Sequence, residues 1–155
     1  MRKTIVTVSI ILALAIAGAA VASAQGGTAV VLGQTSLGKV LATSTNFVLY
    51  VYTPDGKNKS HCYNKCAAKW LPLLTKGKPF VGPGLKKALL STTKRKGGTI
   101  QVTYHGHPLY TYTGDTAALQ TNGEGVGGNW YVLNAAGNRI YGSGSGGGCG
   151  GYGCP

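Results

Sequence analysis

Few side chains in this sequence can do chemistry. Only Asp55, Asp115 and Glu124 are acidic, against fifteen lysines and arginines in 155 residues, for a net charge of +12. Asp55 and Asp115 close two similar tyrosine-rich stretches. They could act as paired ligands or acid/base groups, or each could accept backbone N–H bonds in its own turn; the turn reading is preferred because Thr53-Pro54-Asp55-Gly56 has the chemistry of a tight turn. Asp115 with Glu124 could form the carboxylate pair of a glycoside hydrolase. Glu124, however, lies in the glycine-rich stretch Gly123–Gly128, which has no defined geometry, and no serine–histidine–acid grouping is visible. An enzyme is therefore not expected. His61, His105 and His107 with Cys62 and Cys66 could hold copper or zinc, since imidazole and thiolate suit those metals. Alternatively Cys62 and Cys66 close a small disulfide loop, and Cys149 and Cys154 likewise; in an exported chain this is preferred, and no cofactor is expected.

The aromatic residues offer a further choice. Tyr50, Tyr52, Tyr110 and Tyr112 could form a platform for stacking sugars or bases. More often such tyrosines pack one sheet face with their hydroxyls at the rim, and Trp70 and Trp130 are expected in the core. The glycine run 123–128 fits the dinucleotide fingerprint in letters, but no helix pattern follows it, so nucleotide binding is set aside.

The elements that must position these residues come from a duplication. Leu49-Tyr50-Val51-Tyr52-Thr53-Pro54-Asp55 recurs sixty residues later as Leu109-Tyr110-Thr111-Tyr112-Thr113-Gly114-Asp115, and the same offset maps Trp70 onto Trp130 and Leu73 onto Leu133. Two copies, 37–82 and 97–142, are expected to pack as one small, mostly β domain. Each opens with a hairpin, Val40–Ser44 or Thr99–Tyr104 followed by the tyrosine strand. Val40, Leu49, Val51, Trp70 and Leu73, and in the second copy Ile100, Val102, Leu109, Trp130 and Leu133, are the expected core. Cys66–Trp70 reads as a short helical turn stopped by Pro72, and Asn129–Leu133 as a strand. Residues 25–36 read as an N-terminal extension and 83–96 as a basic connector with a short helix over Leu85–Ser91. Lys94-Arg95-Lys96-Gly97-Gly98 reads as an exposed basic loop, and 143–155 as a glycine-rich tail.

Residues 1–24 have the pattern of a cleavable secretory signal: Arg2-Lys3, an apolar run, then Ala22-Ser23-Ala24. Cleavage would leave a secreted or envelope protein, not an integral membrane one, with a net charge of about +10. Such a surface attracts polyanions. The expected partners are anionic envelope polymers or polysaccharide rather than specific nucleic acid, with Lys86, Lys87, Lys94, Arg95 and Lys96 as contacts.

The paired Tyr-x-Tyr-x-x-Asp motifs, Cys62 and Cys66 before Trp70, the stretch Gln101–Tyr110 and the stretch Gly125–Tyr131 together resemble a known family. It is the secreted or lipoprotein repeat family of unknown function, marked by a Tyr-x-(Phe/Trp/Tyr)-x-x-Asp motif. The resemblance covers 37–141. It implies an exported repeat protein and carries no activity with it. Leu71 and Gly97 depart from the family's usual proline and aspartate, and without a lipobox cysteine the lipid anchor of many members is not inherited.

Overall fold

Short runs of β-branched and aromatic residues, broken every few positions by glycine, proline or asparagine, favour a protein of brief strands joined by tight turns. The structure, a computed structural model, describes residues 26–141. The stretch read from the sequence as a signal, 1–24, and the expected tail, 143–155, with Cys149 and Cys154, lie outside those residues. In chain order the elements are β1 (Ala29–Thr35), β2 (Gly38–Thr43), β3 (Tyr50–Tyr52), α1 (Lys65–Lys69), β4 (Trp70–Pro72), β5 (Phe80–Val81), β6 (Leu90–Lys94), β7 (Ile100–Tyr104), β8 (His107–Pro108), β9 (Tyr110–Tyr112) and β10 (Trp130–Val132). The fold is mostly β, and its three sheets are open.

Two of the sheets begin the two copies. β1 pairs antiparallel with β2 and parallel with β5, while β6 pairs antiparallel with β7, which pairs with β8. The hairpins turn back at Ala42–Val48 and at β7–β8, and the chain then carries its tyrosines into a different sheet. β1 and β6 stand about sixty residues apart and occupy the same place in their copies. They fall in the stretches read from sequence as an extension and a connector. The expected basic helix over Leu85–Ser91 shrinks to one 3-10 turn, Lys87–Leu89. Ser91-Thr92-Thr93 continue as strand because β7 offers a complete ladder from Leu90↔Tyr104 to Lys94↔Ile100.

The third sheet joins the copies, in the order β10-β3-β9-β4, all antiparallel. Exchanging one copy for the other reverses this order onto itself, as a two-fold axis between β3 and β9 requires. Tyr50 faces Tyr110 at that axis. Strand alternation then gives the sheet two different faces. One carries Tyr50, Tyr110, Trp70, Trp130 and Val132 into a buried cluster with Val40, Val48 and Cys62. The other points Val51 into a second cluster with Val30, Leu41, Leu49, Val102, Tyr104, Leu109 and Leu133. Both clusters draw on both copies.

Candidate functional site

The motif residues meet at the pseudo-axis, where their ladder pairings and carboxylate bonds cross from one copy to the other. Trp130 lies opposite Tyr52 and Trp70 opposite Tyr112 in the ladder, so each tryptophan–tyrosine pair is a cross-strand neighbour pair. Four rings then stack in the order Tyr112, Trp70, Trp130, Tyr52. Their centroids are separated by 4.1, 3.8 and 4.4 Å, and the two indoles are within 2° of parallel. Tyr50 packs edge-on against Trp70 at 5.4 Å, and Tyr110 edge-on against Trp130 at 5.2 Å. Both tryptophans are buried, and Tyr52 and Tyr112 at the ends are half-buried. Gly123 permits the packing: a Cβ there would lie 2.8 Å from both Trp70 and Tyr50.

The hydroxyls of Tyr50 and Tyr110 are buried and bonded, not set at a rim as their alternation suggests. Tyr50 donates to Asp115 Oδ2 at 2.7 Å, and Tyr110 donates to Asp55 Oδ2 at 2.7 Å. The second oxygen of each carboxylate accepts a backbone N–H, from His61 at 2.7 Å and from Asn122 at 2.9 Å. Each aspartate thus ties its own loop to the tyrosine of the other copy. Burial raises both phenols above their ordinary value, with the partner carboxylates reinforcing the shift. Burial also raises both carboxyls, against the lowering effect of the bonds they accept.

Around Asp55 lies a network the sequence concealed. Arg95, expected on an exposed loop, is 7% exposed. Its guanidinium donates to Ser60 Oγ, Gln101 Oε1 and the Cys62 carbonyl at 2.7, 2.6 and 2.6 Å, and lies 4.4 Å from the Tyr63 ring centre. Gln101, fully buried, donates to the Leu109 carbonyl, and Ser60 Oγ lies 2.7 Å from the Tyr110 hydroxyl. Arg95 is therefore an internal support and no polyanion contact. A buried guanidinium needs this many acceptors to offset its lost hydration.

The residues considered for metal binding do not converge. Cys62 and Cys66 form a disulfide. His61 is exposed, with Nδ1 2.8 Å from the Pro54 carbonyl; the His105 and His107 rings lie edge-on at 6.4 Å. Among the described residues no group of three or more histidine, cysteine or acidic side chains is placed to hold a metal. The hydrolase pair is likewise engaged elsewhere: Asp115 with Tyr50, and Glu124 accepting the Val132 N–H at 2.8 Å.

What remains for the surface is charge of one sign. Every lysine among the described residues is exposed, as is Arg139, whereas Asp115 is buried and Asp55 and Glu124 are half-buried. Two shallow clefts adjoin across the 3-10 turn and share Ala88 and Ser91. The first, about 330 Å³, runs between Lys57, Asn58 and His105. The second, about 420 Å³, runs between Lys78, Lys87 and Thr92, along the edge of β6. Lys87, read from the sequence as a candidate contact, lines the second cleft; Lys57 and Lys78 were not singled out there, because only the tertiary fold brings their loops beside β6. Lys86, Lys94 and Lys96 are exposed but do not line the clefts.

A family model described as a secreted repeat of unknown function matches residues 31–74 and 91–134, so that each match begins within β1 or β6. No curated protein and no solved structure matches the chain.

Proposed function

The chain belongs to this family of secreted repeats of unknown function, and from that premise we propose that it is an exported, non-catalytic module that contacts anionic polymers or polysaccharide of the envelope or extracellular medium. One observation carries the reading. The few carboxylates are drawn into internal hydrogen bonds, which leaves the described surface with exposed cations and no exposed acid. A polyanion approaching the described surface meets many exposed cations and at most two half-buried carboxylates.

The adjoining clefts are the most suitable place for a linear polymer to lie. Lys57 at one end and Lys78 and Lys87 at the other supply charge, and Ser91 and Thr92 supply hydroxyls between them. Among the described residues no helix is long and apolar enough to cross a membrane. Among the described residues a metal-binding role finds no support, since Cys62 and Cys66 are bonded to each other.

Retention of the protein on anionic and neutral polysaccharide beads over a salt series tests the reading. Retention on the anionic beads alone, falling as salt rises, is expected, because exposed charges are screened within about 10 Å at 0.1 M salt. The triple change Lys57→Gln, Lys78→Gln, Lys87→Gln should weaken it more than Lys86→Gln, Lys94→Gln, Lys96→Gln, although both remove the same charge. Equal retention on both beads, indifferent to salt, would overturn the proposal.

A further inference from the structure

We propose that the aromatic centre is a one-electron oxidation sink: an electron lost from the Trp70–Trp130 stack is replaced from Tyr50 or Tyr110, whose phenolic proton passes to the aspartate of the other copy. Three features of the geometry point there. The indoles overlap face to face at 3.8 Å, so a positive charge created on one is shared with the other. Tyr112 and Tyr52 extend the stack to half-buried rings, so an oxidant at the surface can draw an electron from a buried pair it cannot touch. Beside each indole, at 5.4 and 5.2 Å, stands a phenol whose hydroxyl already donates to a carboxylate at 2.7 Å.

The carboxylates matter because a phenol that gives up an electron becomes strongly acidic. Without an acceptor its proton has nowhere to go in a dry interior, and the oxidation is blocked. Asp115 and Asp55 are such acceptors, and burial increases the proton affinity of both. Tyr104 and Tyr131 lack this arrangement: they donate to the Ala135 and Gly128 carbonyls, which cannot take up a proton. Packing alone does not call for it either. A buried carboxylate is costly, and phenylalanine would fill the same space without one; yet two of the chain's three acids are placed here.

The step balances as follows. An oxygen-centred radical of the extracytoplasmic medium gains one electron, and Trp70 becomes a radical cation. Tyr50 gives one electron to Trp70 and its hydroxyl proton to Asp115 Oδ2. The products are neutral Trp70, a neutral tyrosyl radical and a protonated Asp115. A one-electron reductant of the thiol class restores Tyr50, and Asp115 returns the proton. Tyr110, Trp130 and Asp55 repeat the step on the other side of the axis.

The test is photochemical oxidation of the intact protein by tris(bipyridine)ruthenium(III), followed by freeze-quenching and electron paramagnetic resonance. A tyrosyl radical is expected in the wild type, forming more slowly in D2O because a proton moves with the electron. In Tyr50→Phe/Tyr110→Phe, which keeps both rings, the tyrosyl signal should be lost and a tryptophan radical left in its place. A tyrosyl signal of undiminished size in that variant would put the radical on surface tyrosines such as Tyr141 and overturn the proposal. So would a wild-type formation rate equal in H2O and D2O, a measurement that needs no variant to fold.

Discussion

The two ends of the aromatic centre make the same contact in different surroundings. At each, a tyrosine of one copy donates to the aspartate of the other, and at each the aspartate's second oxygen holds a backbone N–H. At the Asp55 end the pair continues into Ser60, Arg95 and Gln101, and the disulfide loop supplies the Cys62 carbonyl. At the Asp115 end there is no guanidinium. The positions sixty residues from Arg95 and Gln101 are Thr35 and Leu41, and the Tyr50 hydroxyl is closed over by the loop at Gln120–Gly123. Duplication has kept the cross-copy contact while the support behind it diverged. The contact therefore belongs to the symmetric part of the design, and the buried guanidinium to one end of it.

The largest expected effect tests the symmetric part. Trp70→Ala and Trp130→Ala should each cost about 4 kcal/mol, the usual scale for emptying a buried aromatic site, and should do so equally, as measured by denaturant unfolding. A twofold difference between them would break the symmetry argued here. Next comes Arg95→Met, which leaves Gln101 Oε1 without its guanidinium donor and the Cys62 carbonyl with only the 3.5 Å bond from Ser60 Oγ. It should cost about 3 kcal/mol from the loss of charged donors to these buried acceptors. A loss under about 0.5 kcal/mol, ordinary for surface sites, would return Arg95 to the solvent.

The tyrosines sharpen the comparison further. Tyr50→Phe leaves Asp115 with one bond fewer and no nearby cation, whereas after Tyr110→Phe the Asp55 carboxylate still feels Arg95. Losses of about 2 and 1 kcal/mol are expected, within the range for an unsatisfied buried acceptor. The reverse order would show that Arg95 does not serve Asp55.

Acidity should have the smallest effect. Burial lowers His107 below its ordinary 6.5, with His105 and Arg139 adding to the shift. The unfolded chain therefore binds that proton first, and stability falls as pH drops from 6.5 through the folded value. Burial raises Asp55 and Asp115 above 3.8. Here the folded chain binds protons first, so stability rises as pH falls through the folded values, with the gain complete below 3.8. Melting temperature against pH should dip below neutrality and then recover. His107→Gln should remove the dip, and Asp55→Asn/Asp115→Asn the recovery. A dip that survives His107→Gln assigns it to another group.

What could be read from the sequence was local. The sixty-residue offset, the mostly β class, the Cys62–Cys66 bond and the helical turn before Trp70 follow from spacing and residue type. The crossing of the pairs does not. Tyr50 and Asp115 are 65 positions apart, and within one copy a turn aspartate already has backbone partners to choose. Arg95 sits in Lys-Arg-Lys-Gly-Gly, a run that reads as solvated, and the acceptors that bury it lie 33 and 35 residues away or on the next strand. β1 and β6 escaped because Val30–Gln34 and Leu90–Lys94 share their place in the fold but almost no side chains.

The central claim is that the copies are interlocked through the crossed pairs and form one folding unit. Expressing residues 26–82 and 83–141 separately, and following tryptophan fluorescence through denaturant, tests it most directly. Each fragment keeps one tryptophan, and each loses the stacking indole and the partner of its aspartate. Neither is expected to unfold cooperatively alone, and mixing the two should restore a buried-tryptophan spectrum and a single transition. A fragment that by itself shows a cooperative transition from a buried tryptophan would contradict the account.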